Sequence, residues 1–320
     1  MVPARQPRSI PGPDGSGRQS RPPAPVEPGP GGPRLGYASG VTDLHPYFAP
    51  RGDRDGGPAG AATPAPGGSR APLALAHRGF SLDGLENSMA AFRAAVDLGF
   101  RHLETDVHTT ADGVLVLFHD KTLDRITEGR GQIADLPAST VARARIGGTE
   151  PIPRFDELIA AFPDVRLNID VKDWNSVRTL ASAIERHGLH DRVLVASFSD
   201  RRRRAVLKQL SRPAASSAGI VSNAVFVLLG PVLPTPLMSD VVRRALRGVH
   251  ALQVPVRYGA VPVVTPGFIR RAHRHGLQVH VWTINEPAEM HRLLDLGVDG
   301  IVTDRADLLK SVLQERGTWS

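Results

Sequence analysis

The sequence predicts an α/β fold, a (β/α)₈ TIM barrel over residues 71–320. Short apolar runs alternate with longer amphipathic runs along this part of the chain, which is typical of parallel strands that alternate with helices. Its 250 residues match the usual size of one such barrel, about 250 residues. Acids, bases and cations stand near the ends of several apolar runs, where the active sites of these barrels lie.

The elements follow one another in a regular order. The apolar runs that predict eight barrel strands lie at 73–79, 102–110, 166–172, 192–199, 214–220, 249–256, 277–285 and 298–309. Helical spacing of apolar residues predicts helices at 88–99, 155–163, 176–188, 200–210, 265–276 and 287–297. A further apolar run at 114–120 follows Asp112-Gly113, a pair that predicts a hairpin with the second strand. No GxGxxG motif follows the first strand, which disfavours a dinucleotide-binding sheet.

Residues 1–70 differ from the rest of the chain in composition. They contain 15 Pro and 14 Gly and show no periodic apolar face. A segment of this kind buries too little apolar surface to offset the entropy that is lost on ordering. We therefore predict a disordered Pro/Gly-rich tail or linker at 1–70 and one folded domain at 71–320.

The stretch Gly219–Met238 contains no charged residue and follows the fifth predicted barrel strand. Its three prolines would break a membrane-spanning helix, so we predict a loop with a short apolar element. Loops at this end of a barrel shape the entry of the substrate. The stretch is therefore either a plain packing element or an apolar lip that contacts lipid, such as the acyl chain of a lysophospholipid.

The composition limits the chemistry. The chain has no Cys, which excludes disulfides, thiolate metal sites and cysteine nucleophiles. Its formal net charge of +7 favours anionic partners such as phosphorylated small molecules. No stripe of basic and aromatic residues accompanies this charge, so we predict no nucleic-acid binding. The sequence shows neither an apolar secretory segment nor a clean membrane span, and a cytoplasmic location is the expectation.

Three carboxylates stand on strand faces that are predicted to point into the barrel. Residues i and i+2 of a strand share a face, which places Glu104 with Asp106. In the same way Asp170 shares a face with Lys172. One interpretation is a hard-oxygen site for Ca²⁺ or Mg²⁺ formed by the three carboxylates. The other is a buried salt-bridge layer with Arg78 and Lys172 and no metal.

Two histidines, His77 and His119, stand at the ends of apolar runs. General acid/base catalysis needs two groups that titrate near neutral pH, and imidazole has this property. The alternative is that each is a buried histidine that caps a loop carbonyl. Nearby, Arg78 offers a planar fork for phosphate oxygens and Lys172 offers a point charge. The arginine run at 201–204 follows a predicted helix cap and is expected to form a solvated helix face.

These residues fall within motifs that resemble those of the glycerophosphodiester phosphodiesterases, a family of phospholipase-C-like TIM barrels. The matching motifs, in family order, are HRG at 77–79, ENS at 86–88, ETDVHTTADGVLVLFHDKTLDRITEGRG at 104–131, DVK at 170–172, WTIN at 282–285 and GIVTDRADLL at 300–309. They span nearly all of residues 71–310, and the combination of HRG, ExD and HD is specific.

The resemblance implies a (β/α)₈ barrel, one divalent cation, often Ca²⁺ or Mg²⁺, and hydrolysis of a glycerophosphodiester to sn-glycerol 3-phosphate and an alcohol. His77 and His119 match the acid/base pair of the family. We assign activation of the nucleophile to His77 and protonation of the leaving alcohol to His119. The other matches are the metal carboxylates Glu104, Asp106 and Asp170, the phosphate contacts Arg78 and Lys172, the aromatic Trp282 at the mouth, and Glu86 and Asn87 in a loop that closes on the site.

The chain departs from the family pattern at Asp170, where the family usually has glutamate. Aspartate keeps the charge but is shorter by one methylene, so we expect the position or the identity of the metal to differ. Two other functions stay open from the sequence. One is a lysophospholipase D-type lipid phosphodiesterase on the same barrel. The other is a non-catalytic barrel that binds a phosphate ligand, which the presence of both histidines and all three carboxylates disfavours.

Overall fold

The computed structural model describes residues 45–49, 71–231 and 235–319. The strands in these residues, numbered in chain order, are β1 (Leu73–His77), β2 (His102–Thr109), β3 (Leu115–Leu117), β4 (Arg145–Ile146), β5 (Glu150–Pro151), β6 (Arg166–Val171), β7 (Val193–Ala196), β8 (Ala215–Ser216), β9 (Ala251–Val254), β10 (Arg257–Tyr258), β11 (Val261–Pro262), β12 (Gln278–Val281) and β13 (Gly300–Thr303). The helices are α1 (Met89–Asp97), α2 (Ala138–Val141), α3 (Phe155–Ala161), α4 (Asn175–Arg186), α5 (Asp200–Leu207), α6 (Ile220–Leu229), α7 (Thr235–Ala245), α8 (Pro266–Arg274), α9 (Pro287–Asp295) and α10 (Ala306–Glu315). Short 3₁₀ helices lie at Pro46–Phe48, Ile133–Asp135 and Leu189–Asp191.

Eight of these strands form the barrel. Neighbours pair in parallel in the order β8, β7, β6, β2, β1, β13, β12 and β9. A parallel bridge between Ser217 and Ala251 links the two ends of this row, so the sheet is nearly closed. The predicted (β/α)₈ fold is confirmed, and each barrel strand lies within one of the predicted apolar runs.

Side-chain caps explain where several helices begin. The hydroxyl of Ser88 accepts a hydrogen bond from an amide in the first turn of α1, and Ser199 and Thr265 do the same for α5 and α8. Each cap satisfies a backbone donor that has no partner within its helix. The helices then bury an apolar stripe on the barrel, as α4 does with Leu180 and Ile184.

The hairpin predicted after the second strand is present but lies off the barrel ring. Strand β3 pairs antiparallel with β2, with Leu117 opposite Val107. Thr110 donates to the carboxylate of Asp112 at 2.6 Å and thereby fixes the turn. His119 follows β3 and is therefore carried by a loop rather than by a barrel strand.

The prediction of a loop over Gly219–Met238 is wrong, because the stretch forms α6 and the first part of α7. Pro231 comes after the last residue of α6, and Pro236 lies in the first turn of α7. Proline is tolerated in a first turn, where the missing amide would have no helical partner. In the parts of the chain that the structure describes, no helix is both long enough and apolar enough to cross a membrane.

The arginine run at 201–204 is not entirely a solvated face. Arg203 is fully buried between α5 and β8. Its Nη1 donates to the Ser216 hydroxyl at 2.9 Å, and its Nη2 lies 3.5 Å from the carboxylate of Asp200. The expectation fails at this one position, because the helix turns Arg203 inward, where a counterion and a hydroxyl partly compensate its burial.

Five residues of the 1–70 segment pack on the barrel. Within the 3₁₀ helix Pro46–Phe48, the side chains of Tyr47 and Phe48 are buried in a cluster with apolar residues of β7, β8 and β9. Arg166, the first residue of β6, donates to the carbonyl of Ala49 at 2.6 Å. Composition alone does not distinguish these residues from their neighbours. The prediction of disorder for the remainder of 1–70 falls on residues outside those described.

Three histidines, two of them buried and one half-buried, lie around this segment. The ring centroids of His102 and Tyr47 are 5.3 Å apart, and those of His250 and His45 are also 5.3 Å apart. Burial, with the charge of Arg166, lowers the pKa of His102 to about 4. Burial also lowers the pKa of His250 to about 4 and that of His280 to about 3. These three imidazoles are therefore neutral in the fold at physiological pH.

Replacement of Tyr47 tests the packing of this segment. Tyr47→Ala should lower the free energy of unfolding by about 3–5 kcal/mol, the usual cost of truncating a buried aromatic side chain. Tyr47→Phe should raise it by about 1 kcal/mol, because the hydroxyl is buried without a hydrogen-bond partner among the described residues. Urea denaturation measures both, with the exposed Tyr258→Ala as the control. Equal losses for Tyr47→Ala and Tyr258→Ala would show that the segment does not cover the barrel.

The buried histidines predict a loss of stability in mild acid. The pKa of each of His102, His250 and His280 is lower in the fold than the value of about 6.5 in an unfolded chain. The unfolded state therefore binds more protons below pH ~6.5, and stability should fall as the pH drops from there towards 4. The expected slope is up to about 1.4 kcal/mol per pH unit for each histidine. Urea denaturation between pH 7.5 and 4.5 would contradict this if the free energy of unfolding stayed constant.

Candidate active site

The carboxyl ends of β1, β2 and β6 bring the predicted polar residues together. The strand register places His77 beside Glu104. It also places Glu104 beside Asn168 and Asp106 beside Asp170. Register partners in parallel strands point to the same side, and so do residues i and i+2 of one strand. These side chains therefore all enter the barrel, where they line a cavity of about 630 Å³.

Asp106 is the centre of the polar cluster. Its carboxylate lies 2.9 Å from Lys172 Nζ and 3.1 Å from Arg78 Nε, and it accepts a hydrogen bond from Asn87 Nδ2 at 3.0 Å. Burial alone would raise the pKa of Asp106, but the charges of Lys172 and Arg78 outweigh burial and hold that pKa below its usual value. Asp106 is therefore ionised and fixes two cations in the cavity.

Lys172 bridges two carboxylates. Besides Asp106, its Nζ contacts Asp170 Oδ2 at 2.8 Å. Burial would lower the pKa of Lys172, but these two carboxylates outweigh it and raise the pKa above its usual range. Lys172 is thus a permanent cation at the cavity wall, and it lies 5.6 Å from the ring centroid of Phe198.

The loop after β1 positions Arg78. The amide of Arg78 donates to Glu104 Oε2 at 3.1 Å, and its Nη1 donates to Glu86 Oε1 at 2.9 Å. Gly79 follows with a φ of +86°, and a Cβ at this position would lie 2.6 Å from the backbone of Ala91 in α1. Glycine therefore allows α1 to approach the loop and keeps Arg78 at the mouth.

Glu86 and Asn87, predicted as substrate-binding residues, do not line the cavity. Asn87 is fully buried, and its Oδ1 accepts a hydrogen bond from Thr105 at 2.7 Å while its Nδ2 holds Asp106. Glu86 accepts hydrogen bonds from Arg78 and, at 2.6 Å, from Arg125. Both residues therefore act behind the cavity wall by holding its charged groups in place.

His77 is held by a residue that sequence reasoning missed. Its Nδ1 lies 2.6 Å from Asp304 Oδ1, and Asn285 Nδ2 donates to Asp304 Oδ2 at 3.0 Å. Burial would lower the pKa of His77, but the Asp304 hydrogen bond and the charge of Glu104 outweigh it and raise the pKa above its usual value. Asp304 and Asn285 stand inside the motifs at 300–309 and 282–285, so the signal was present in the sequence.

His119 is held by its neighbour in the chain. Its Nδ1 lies 2.6 Å from Asp120 Oδ1, and Asp120 also accepts a hydrogen bond from Arg125. Burial is the main cause that lowers the pKa of His119 below its usual value, and the charge of Lys172 acts in the same direction. The surroundings therefore move the two pKa values in opposite directions, up for His77 and down for His119.

A buried histidine fixes the loop that carries His119. His108 on β2 contacts Asp173 through Nδ1 at 2.6 Å, and its Nε2 lies 3.2 Å from the carbonyl of His119. Its side chain is almost fully buried. The contact ties the hairpin loop to the end of β6, so the His119 ring faces the same cavity as His77.

The three carboxylates predicted to bind metal line one cavity. Two of them, Asp106 and Asp170, form ion pairs with Lys172. Among the described residues, no group of three or more His, Cys, Asp or Glu side chains is arranged so that it could hold one metal ion. Lys172 accounts for this arrangement, because its Nζ lies between Asp106 and Asp170. The alternative from the sequence, a buried salt-bridge layer, describes the contacts of Lys172 and Arg78 in this structure.

The donor atoms of the site nevertheless fit a divalent cation. Asp170 Oδ1 and Asn168 Oδ1 are buried, and among the described residues neither has a hydrogen-bond partner. Burial and the neighbouring charge of Asp106 raise the pKa of Glu104 to about 7, so a bound cation would stabilise its ionised form. Hard oxygen donors in such surroundings suit Ca²⁺ or Mg²⁺.

The opposite side of the cavity is apolar. Trp282, the predicted aromatic at the mouth, lines it and packs edge-to-face on Phe198 with the ring centroids 6.0 Å apart. The wall continues along α6 and the β10–β11 hairpin through Ile220, Val227, Leu228, Tyr258 and Val261. The cavity thus has a charged part at the ends of β1, β2 and β6 and an apolar part beside α6.

The comparisons with known proteins agree with this site. Residues 77–308 match the model of the glycerophosphoryl diester phosphodiesterase family. The chain is 45% identical over 249 residues to "Probable glycerophosphodiester phosphodiesterase 2" of Mycobacterium tuberculosis, a match that covers 77% of this chain and 92% of that protein. It is 26% identical over 274 residues to the human protein "Lysophospholipase D GDPD1", with 75% of this chain and 85% of that protein covered.

Its fold is similar to that of an Oleispira antarctica phosphodiesterase solved in complex with the product sn-glycerol-3-phosphate. The TM-score is 0.60 at 22% identity, and the match covers 76% of this chain and 97% of the other. The family match spans most of the barrel and includes both histidines and all three carboxylates of the cavity. The chain therefore belongs to the glycerophosphoryl diester phosphodiesterase family and is a glycerophosphodiester phosphodiesterase.

Proposed function

We propose that the chain hydrolyses glycerophosphodiesters to sn-glycerol 3-phosphate and an alcohol by histidine acid/base catalysis with one divalent cation. One observation carries the proposal. His77 and His119 each have a carboxylate partner at 2.6 Å and line the same cavity as the two cations held by Asp106. Imidazoles that are oriented in this way, beside fixed positive charge, suit attack on a phosphodiester.

The pKa directions favour one assignment of the two histidines. The pKa of His77 lies above its usual value, a direction that suits a general acid. The pKa of His119 lies below its usual value, so the neutral ring suits a general base. We therefore propose the reverse of the roles expected from the sequence. A cation near Glu104 would weaken the influence of that carboxylate on His77, while the Asp304 hydrogen bond would remain.

The proposed step conserves atoms and charge. A water oxygen attacks phosphorus while His119 accepts its proton, and the bond between phosphorus and the oxygen of the alcohol breaks. His77 gives its proton to the departing alkoxide. The glycerol hydroxyl next to the phosphate is a second nucleophile for the same pair, and it would give a cyclic phosphate that water then opens. Arg78 and Lys172 bind the phosphate oxygens and stabilise the added negative charge.

The residues that would hold the cation of this proposal are Glu104, Asp106 and Asp170. Their carboxylates supply hard oxygen donors, and the free oxygen of Asp170 is available to it. When bound, Ca²⁺ or Mg²⁺ would neutralise phosphate charge and act as a Lewis acid. Lys172 contacts one oxygen of Asp106 and one of Asp170, and a substrate phosphate oxygen would offer it a further partner.

Release of glycerol 3-phosphate tests the reaction class. Purified protein should release it from glycerophosphocholine, and EDTA should abolish the release until Ca²⁺ or Mg²⁺ is restored. Binding of the metal should also raise the melting temperature of the protein, and Asp170→Asn should reduce that rise because it removes a carboxylate ligand. Unchanged turnover in EDTA would refute the proposal that hydrolysis requires a divalent cation. If the protein binds glycerol 3-phosphate but does not release it from any diester, the alternative of a non-catalytic barrel that binds a phosphate ligand would be correct.

The roles of the histidines can be separated by the leaving group. His77→Ala should lose about 10²–10⁴-fold in rate on glycerophosphocholine, because its alcohol needs a proton to depart. It should lose far less on glycerophospho-4-nitrophenol, because nitrophenolate leaves unprotonated. His119→Ala should lose activity on both substrates because the nucleophile is no longer activated. The opposite pattern, in which the activated leaving group rescues only His119→Ala, would restore the assignment from the sequence.

A further inference from the structure

A second cavity lies between residues 113–115 of the β2–β3 hairpin, Arg154 and Asp156 at the start of α3, and one face of α4. We call it the outer cavity. It has a volume of about 320 Å³ and shares no lining residue with the cavity that contains the two histidines. Sites for small ligands have volumes of about 300–1,000 Å³. The outer cavity is therefore large enough for a small molecule, and the proposed hydrolysis does not use it.

The wall of the outer cavity is basic. It is lined by one acid, Asp156, and by three arginines, Arg154, Arg178 and Arg186, which give the lining a formal net charge of +2. The Asp156 carboxylate accepts hydrogen bonds from Arg186 and His187, both at 2.9 Å. Arg154 and Arg178 form no ion pair with any residue that the structure describes. Two guanidinium groups at one cavity therefore lack a counterion within the described part of the chain.

One face of α4 supplies most of the polar groups. Arg178, Ser182 and Arg186 recur at every fourth residue, so their side chains share this face. The hydroxyl of Thr179 lies 2.7 Å from that of Thr109 at the end of β2, and this contact ties α4 to the strand that begins the hairpin. Ser182 is exposed, and its hydroxyl is free to bind a ligand in the outer cavity.

Backbone pairing brings Arg154 to the same cavity. Arg154 forms an antiparallel bridge with Val116 of β3, and the carbonyl of Pro153 accepts a hydrogen bond from the Leu117 amide at 2.9 Å. The hairpin, the start of α3 and α4 are thus held together before any ligand binds. Like charges that are held around one cavity repel one another, and a bound anion relieves that repulsion.

The chemistry of the outer cavity suits a phosphate group. Each guanidinium presents a planar fork of N–H donors that can bind two phosphate oxygens at once. A phosphate group carries a charge of about −1.5 to −2 at pH 7 and three acceptor oxygens, which matches two forks without a counterion and the hydroxyl of Ser182. A carboxylate carries one charge and two oxygens, so it would leave one of the forks without a partner.

We propose that the outer cavity is a second anion site, which binds inorganic phosphate or a small phosphate monoester between Arg154, Arg178 and Ser182. The bound anion connects the start of α3 with α4 at the side of the hairpin, and it therefore stabilises the hairpin that leads to the His119 loop. The site goes beyond the proposed hydrolysis, since none of its residues lines the catalytic cavity. Its tests measure binding and do not require an active enzyme.

Titration calorimetry with inorganic phosphate, on protein in EDTA, measures binding at the outer cavity. The double variant Arg154→Gln/Arg178→Gln should bind this phosphate at least about tenfold more weakly than the wild type, because both forks are lost. The control Arg247→Gln/Arg270→Gln removes the same charge from exposed positions that line neither cavity, and it should bind phosphate as the wild type does. Equal phosphate binding by the two double variants would overturn the proposal.

Amide hydrogen exchange locates the bound phosphate. Phosphate should slow exchange at residues 110–117 and in α4 of the wild type and the control, but not of Arg154→Gln/Arg178→Gln, because a ligand stabilises the folded arrangement that binds it. All four substituted arginines are exposed, so the melting temperature should change little and hydrolysis of glycerophosphocholine in phosphate-free buffer should stay within about twofold of the wild type. Phosphate that slows exchange in neither segment of the wild type would contradict the proposal.

Glycerol 3-phosphate distinguishes the two sources of the phosphate group. If it binds at the outer cavity more than about tenfold more tightly than inorganic phosphate, the ligand is a phosphate monoester. Equal affinities identify the inorganic ion. Both results support the site only if Arg154→Gln/Arg178→Gln loses the binding, and a wild-type protein that binds neither compound there would overturn it.

Discussion

The ion pairs of Asp106 are the contacts on which the site depends. A buried carboxylate is tolerated only where cations or hydrogen-bond donors compensate for its lost hydration, and Asp106 has both. Lys172 and Arg78 supply the charge, and Asn87 supplies the hydrogen bond. The compensation acts in both directions, because the same carboxylate keeps two cations inside a barrel that would otherwise exclude them. The phosphate site is therefore built from charges that stabilise one another before any substrate arrives.

The histidines depend on this cluster through a chain of contacts. Arg78 and Arg125 share Glu86, and Arg125 in turn holds Asp120, the partner of His119. On the other side His77 lies between Glu104 and Asp304. The two rings thus experience different surroundings, one with more negative charge and one nearer to Lys172, and their pKa values move apart. Separation of this kind is what allows one residue type to serve as both acid and base.

Strand periodicity made much of this site predictable. The shared face of Glu104 and Asp106 follows from alternation along β2, and that pair leads to Asp170 on the adjacent strand because both strands carry acids near their carboxyl ends. Asp304 was not predicted as the partner of His77, because 227 residues separate them and only the closure of the barrel brings β13 beside β1. Local sequence patterns do not predict contacts between residues so far apart in the chain, even where the motif that contains one of them is recognised.

Two other features, the helices within Gly219–Met238 and the packed residues at Tyr47 and Phe48, were not predicted because prolines and glycines in the sequence were given too much weight. The prolines of Gly219–Met238 indicate a loop, but Pro231 and Pro236 stand outside a helix and in a first turn, where they are tolerated. Tyr47 and Phe48 form a short apolar group within a sequence rich in proline and glycine. Their burial depends on contacts with the barrel, which the local sequence does not reveal. In both cases the tertiary structure decides what the composition leaves undetermined.

The rate of glycerol 3-phosphate release by Asp106→Asn measures whether this carboxylate organises the site. Asparagine has the same shape but no charge, so Lys172 and Arg78 would lose their shared counterion while the packing stays in place. We expect a loss of about 100-fold or more in kcat on glycerophosphocholine in a protein that still shows the native circular dichroism spectrum. A folded Asp106→Asn enzyme with turnover near that of the wild type would show that this carboxylate does not organise the site.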